Sequence, residues 1–173
     1  MILTGNKISE EISNERICIE PFQMDQITTN SYDLRLGNKY LVYTQDVIDT
    51  KQPPTYEEKE IPDDGLVMKA GDFILGHSEE IIGSNHYVPL IHAKSGTARM
   101  GLFVHVTADL IDIGSIGNST FQLYATLPVK IFKGMLIAQV TFWVPEGKID
   151  LYQGKYQHSR GPQPSRTYLD HVT

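Results

Sequence analysis

Apolar residues recur along this chain mostly in short alternating runs, the two-residue period of strands whose two sides meet different surroundings. Ser31-Tyr-Asp-Leu-Arg-Leu-Gly37 alternates polar and apolar positions, and Lys39-Tyr-Leu-Val-Tyr43 continues extended, with Gly37-Asn38 as the turn between them. Ile17-Cys-Ile-Glu-Pro21 reads as a brief strand stopped by proline. Further short strands are expected at 72–76, 87–93, 102–106, 119–126, 129–132 and 136–144, with Gly or Pro in many of the gaps. One segment departs from this period. Ile8 and Ile12 lie four apart among Lys7, Glu10, Glu11 and Glu15, which predicts a short amphipathic helix over 5–15, with Thr4 or Asn6 placed to cap its first turn. Residues 45–65 hold Pro53, Pro54, Pro62 and a cluster of acidic side chains, and read as a surface loop. Many short strands with one or two short helices predict a mainly β fold, a distorted jelly-roll-like barrel or sandwich.

The 173 residues are read as one domain, 1–173, long enough to bury a core without disulfides or metal staples. With 15 Lys and Arg against 21 Asp and Glu, the net charge of −6 argues against a nonspecific nucleic-acid binder, which needs a basic surface. A local pocket of Lys and Arg can still oppose that charge and hold a small anion. Cys18 stands alone, so no disulfide framework is expected and a reducing cytoplasm is the simplest compartment. No apolar run approaches a membrane span and the N-terminus shows no signal-peptide pattern, so no membrane partner is expected. The tail, from about 150 to 173, is polar and rich in Gly and Pro, and carries Lys155, His158, Arg160 and Arg166. It reads either as a loose end or as a lid over a phosphorylated ligand.

His92-Ala-Lys-Ser-Gly-Thr-Ala-Arg99, followed by Gly101-Leu-Phe-Val-His-Val-Thr-Ala-Asp-Leu-Ile-Asp112, resembles the core motif of the dCTP deaminase family, trimeric relatives of the dUTPases. Met1-Ile-Leu, Ile19-Glu-Pro-Phe22, Ser31 to Gly37, Lys133-Gly-Met-Leu-Ile-Ala-Gln139 and Tyr152-Gln-Gly-Lys-Tyr156 with Gly161-Pro162 extend the resemblance over nearly the whole chain. It implies a dUTPase-like jelly roll and a homotrimer with sites shared between neighbouring subunits. It also implies dCTP or dUTP as ligand, with Mg2+ held through the triphosphate, and deamination without zinc. The chain agrees on the last point, since it lacks the His-x-Glu and Pro-Cys-x-x-Cys ligands of zinc deaminases.

Residue by residue, Lys94, Ser95 and Gly96 stand at the family's Arg-Ser-Ser phosphate grip, and Arg99 matches its second arginine. Lysine keeps the charge there but loses the planar fork, and Gly96 deletes a hydroxyl. Outside the family, these would be solvated side chains on a turn. Thr107, Ala108, Ile111 and Asp112 match a segment lining the deoxyribose and base. Asp112 is the general-base candidate, either accepting from the sugar hydroxyl or, as in the dUTPase branch, activating water; a plain turn aspartate before Gly114 is the alternative. In Gly117-Asn-Ser-Thr-Phe-Gln122, Thr120 lines the site and Gln122 stands where the family carries its catalytic glutamate. An amide can hydrogen-bond a pyrimidine edge but cannot carry a proton. Ser115 replaces a usual aromatic, and Asp109 a frequent glycine. Tyr152 and Lys155 match residues that touch the triphosphate when the tail closes, with Arg160 and Arg166 adding charge. His105 lies on an alternating strand and reads as structural, as do His77, His86 and His92. Three functions remain open: a dCTP deaminase, a dUTPase-type pyrophosphatase using Asp112, and a nucleotide binder without turnover.

Overall fold

The inward half of each strand alternation builds one core. On β9 (Ile116–Ala125), Phe121, Leu123 and Ala125 are buried while Thr120, Gln122 and Tyr124 face the opposite side. The computed structural model describes residues 1–171. Its largest sheet has six strands, in the order β4 (Tyr56–Glu60), β3 (Lys39–Tyr43), β6 (Phe73–Gly83), β9 and β8 (Leu102–Phe103), with β1 (Cys18–Glu20) pairing β6 from the side. A second sheet sets β11 (Leu136–Trp143) between β2 (Tyr32–Arg35) and β7 (Val88–Ala93), and β5 (Leu66–Met68) pairs β10 (Val129–Ile131). Every pairing is antiparallel, and the sheets are open. Tyr32, Leu34, Ile91, Val140 and Phe142 from the three-stranded sheet meet Ile74, Ile82, Phe121 and Leu123 from the larger one in a single apolar cluster. The fold is therefore mainly β and jelly-roll-like, with α1 (Gly5–Ser13) and the one-turn α2 (Ser95–Arg99) as its α-helices. No helix among the described residues is long and apolar enough to cross a membrane.

Helix α1 forms where the apolar spacing placed it, burying Ile8 against the core. Thr4 occupies the N-cap position without a side-chain cap bond, so the expected cap is one of backbone geometry only. Four other expectations need correction. Residues 45–65 are not loop throughout, because Tyr56-Glu-Glu-Lys-Glu60 pairs with β3 as a fully exposed edge strand. Its charges mark it as an edge that resists further pairing. The strand expected at 72–76 continues to Gly83, past a register shift between His77 and Ile81. The strand expected at 102–106 leaves its ladder after Phe103. Ser95–Arg99, which outside the family would be a turn, forms a short helix.

Candidate functional site

The outer half of the same alternation supplies a binding surface. Thr120, Gln122 and Tyr124 on β9, Phe73 and Leu75 on β6, and Tyr43 on β3 share one face of the large sheet. Above them stands a cavity of about 760 Å³. Its far wall is the segment His105–Ala108 with Ile111, which follows β8 once that strand stops pairing. The register places Phe73 across from Tyr124 and Leu75 across from Gln122, so the Gln122 amide sits mid-floor with an apolar neighbour beside it.

The tail makes the remaining wall. Ser159 O accepts the Asn118 amide at 3.0 Å, and the His158 amide donates to Ile116 O at 3.1 Å, which lays the tail along the start of β9. Gly117 permits the approach, since a Cβ there would stand 2.8 Å from the Ser159 nitrogen. Further along, Asn118 Oδ1 accepts from the Gly161 amide, Thr120 Oγ1 from the Gln163 amide and Tyr43 Oη from the Ser165 amide, at 3.0, 3.0 and 2.9 Å. Tyr156, Ser159, Gln163, Pro164 and Ser165 thereby face the cavity. Each such bond is worth about 1 kcal/mol. Removing two of them together, in Tyr43→Phe with Thr120→Val, is expected to raise the rate of limited trypsin cleavage at Arg160 and Arg166 about 30-fold. The melting temperature should fall by only a few degrees.

No Asp, Glu, Lys or Arg lines the cavity among the described residues. Its only imidazole, His105, is pushed down to about 4 by burial, so it is neutral across the physiological range. Burial likewise pushes the Tyr43 phenol up. The site therefore recognises by neutral donors and acceptors set in an apolar frame, the composition of a pocket for an uncharged ring. Gln122 is the amide free to do so, because Asn118 is spent on backbone contacts, Gln163 on the Arg160 carbonyl and the Arg166 guanidinium, and no hydrogen bond engages the Gln122 side chain among the described residues.

Of the residues singled out from sequence, Thr107, Ala108, Ile111, Thr120 and Gln122 come together on the cavity. Lys94, Ser95, Gly96 and Arg99 do not. They form the start and body of α2 away from the cavity, with Lys94 paired to the Asp33 carboxylate and Arg99 exposed. Asp112 is exposed between the lining residues Ile111 and Ser115. The Tyr152 hydroxyl accepts the Tyr156 amide at 3.1 Å, and Lys155 pairs with Asp170 at 2.5 Å. Sequence reasoning missed Tyr43, Phe73, Leu75, Tyr156 and Gln163, and set His105 aside as structural. Tyr43, Phe73 and Leu75 were legible in part, since each falls on the outward phase of its strand.

This open β-sandwich, with a tail laid across one sheet, is a fold seen in a solved structure. The crystal structure of 2'-deoxycytidine 5'-triphosphate deaminase from Agrobacterium tumefaciens matches it with a TM-score of 0.66 at 20% identity. That match covers 83% of this chain and 48% of that one, so the chain spans about half the length of that protein. The dCTP deaminase-like family model matches residues 2–144, and the chain belongs to that family. A dUMP-forming dCTP deaminase of Clostridium beijerinckii is 41% identical over 171 residues, 98% of each chain. One of Cytophaga hutchinsonii is 40% identical over 171 residues, again 98% of each.

Proposed function

We propose that this chain binds a pyrimidine deoxynucleoside triphosphate, dCTP or dUTP, with the base on Gln122, and that it lacks the proton carrier for deamination. The carrying observation is the free Gln122 amide on the floor of a cavity that no carboxylate lines. Hydrolytic deamination adds water at C4 and expels ammonia, so a proton must pass from the water to the ring or the leaving group. A carboxylate cycles between those states and an amide does not. His105, with its pKa near 4, is a poor proton acceptor at neutral pH. What remains is recognition, since the Gln122 amide offers one donor and one acceptor face to the edge of a pyrimidine.

A triphosphate needs cations, and the cavity has none. The family resemblance supplies them from a neighbouring copy, whose Lys94, Ser95, Gly96 and Arg99 would close over the phosphates in a homotrimer, with Tyr152 and Lys155 of the tail. Lys94 would exchange its Asp33 partner for phosphate. Mg2+ fits as a passenger of the nucleotide, held by phosphate oxygens, because no group of three His, Cys, Asp or Glu side chains gathers to hold a metal among the described residues. When bound it offsets phosphate charge. One observation favours a second reading. Asp112 is exposed beside the cavity with no partner for its carboxylate among the described residues, where it could activate water against a phosphate.

The test is incubation of the protein with Mg2+ and, separately, dCTP and dUTP, resolving nucleotides, ammonia and pyrophosphate. At about a hundredfold excess over Kd, bound ligand adds about 2.7 kcal/mol. For a chain of this size that raises Tm by roughly 5–10 °C. The expected result is such a shift with no ammonia from dCTP. Ammonia release, or no shift with either nucleotide, would overturn the proposal. Formation of dUMP from dUTP that Asp112→Asn abolishes would assign the second reading.

A further inference from the structure

His105 packs edge-on against Phe121, but that contact leaves its two ring nitrogens unanswered. Its Nδ1 and Nε2 are both sealed from solvent and neither makes a hydrogen bond of normal length and angle, the Ala108 backbone being the polar group close enough to act on the ring; they are the only such atoms among the described residues that line the cavity. Buried polar groups are nearly always paired, so a pair left open beside a cavity marks where something else supplies the partner. The β8–β9 register explains the placement. Leu102 faces Ala125 and Phe103 faces Tyr124, which brings the chain alongside β9 just before His105. The chain leaves the ladder after Phe103, which frees this segment to form the wall above the floor strand. The ring stands edge-on to Phe121, centroids 6.0 Å apart and planes at 90°, and that contact fixes its plane. An imidazole kept neutral by burial presents one N–H donor and one acceptor.

We infer that His105 contacts the base directly, its N–H donating to a ring carbonyl of the pyrimidine while Gln122 takes the adjoining edge. This rests on the nucleotide reading above and gives a ligand-reading role to a residue that lies inside the family motif and that the sequence reads as structural. Cytosine and uracil both carry a ring carbonyl between their two ring nitrogens, so His105 strengthens both without choosing between them. Discrimination falls to Gln122, whose amide can turn over to match either base.

The variant that tests this is His105→Phe, which keeps a flat ring against Phe121 and removes both open nitrogens. A merely structural histidine would make the variant less stable. A ligand-reading one leaves the free protein as stable as before or more so, since two unsatisfied atoms are gone. The expected result is an unchanged or raised Tm, with affinity for dCTP and dUTP each lowered about tenfold. In 15N-histidine-labelled protein, the imidazole signals missing from the variant should shift on titration with either nucleotide. If the wild-type protein binds nucleotide while those signals stay fixed and His105→Phe binds equally well, the inference is overturned and the nucleotide reading stands. If the wild-type protein binds neither nucleotide, both fall.

Discussion

Gln122→Glu is expected to make this protein release ammonia from dCTP at about 10²–10⁴ times its own background, the usual worth of a positioned general acid–base. The change swaps one amide nitrogen for oxygen and breaks no hydrogen bond, because none engages the Gln122 side chain among the described residues. Its surroundings favour the new group. Leu75 on β6 lies directly across from it, Phe73 and Ile82 line the same cavity, and no Lys or Arg faces it among the described residues. An apolar frame without a cation raises a carboxyl's pKa, which keeps the protonated form within reach near neutral pH. That is the state needed to hand a proton to the base or the leaving ammonia. The measurement is ammonia release under saturating dCTP and Mg2+, with nucleotide affinity followed in parallel. A variant that binds dCTP and still makes no ammonia would show that the proton carrier was not the only part lost. The departures at Lys94, Gly96 and Ser115 would then carry the rest of the difference.

The parts of this molecule that period and turn chemistry govern were legible in sequence, and those that buried polar groups govern were not. Phe121, Leu123 and Ala125 announce β9 by alternation, and Ile8 with Ile12 announces α1. The continuation of β6 past residue 76 hides because its inward positions are His77, Ser78 and Glu80, all buried. Their partners come from distant segments: Asn118 Nδ2 donates to Ser78 O at 3.0 Å, and Arg35 Nε to Glu80 at 2.8 Å. A local pattern has no means of foreseeing such pairs. The same limit applies to the site. The resemblance named Thr107, Ala108, Ile111, Thr120 and Gln122, which do meet, but it named Lys94 to Arg99 without showing that one chain holds them apart from the cavity. Gln163 faces the ligand space only because the tail crosses the sheet, a contact between segments some 120 residues apart, as in the Ser165 to Tyr43 hydrogen bond.

Those hidden polar positions carry the largest expected stability effect. Glu80 is completely buried, and three donors hold its carboxylate: the Arg35 guanidinium at 2.8 Å, the Arg35 amide at 3.0 Å and Gln26 Nε2 at 3.0 Å. Its own carbonyl accepts from Ser78 Oγ at 2.6 Å and from Asn118 Nδ2 at 3.1 Å. The cluster thus ties β2, β6 and the turn at Met24–Gln26 together beneath the register shift between His77 and Ile81, and through Asn118 reaches the tail. Replacing Arg35 by leucine leaves a buried carboxylate without its charge partner, a change that costs about 3–5 kcal/mol. For a chain of this length that corresponds to a fall in Tm of roughly 6–20 °C. Replacing both partners, Arg35→Leu with Glu80→Leu, removes the stranded charge as well, and most of the loss should return because a buried pair gains little over apolar packing. Urea unfolding of the two variants beside the wild type separates these terms. A single variant that loses less than about 1 kcal/mol would mean that Gln26 and the Arg35 amide hold Glu80 without the guanidinium. A double variant as unstable as the single would mean that the pair sets the β6 register, and the cavity floor built on that register would then lose nucleotide affinity too.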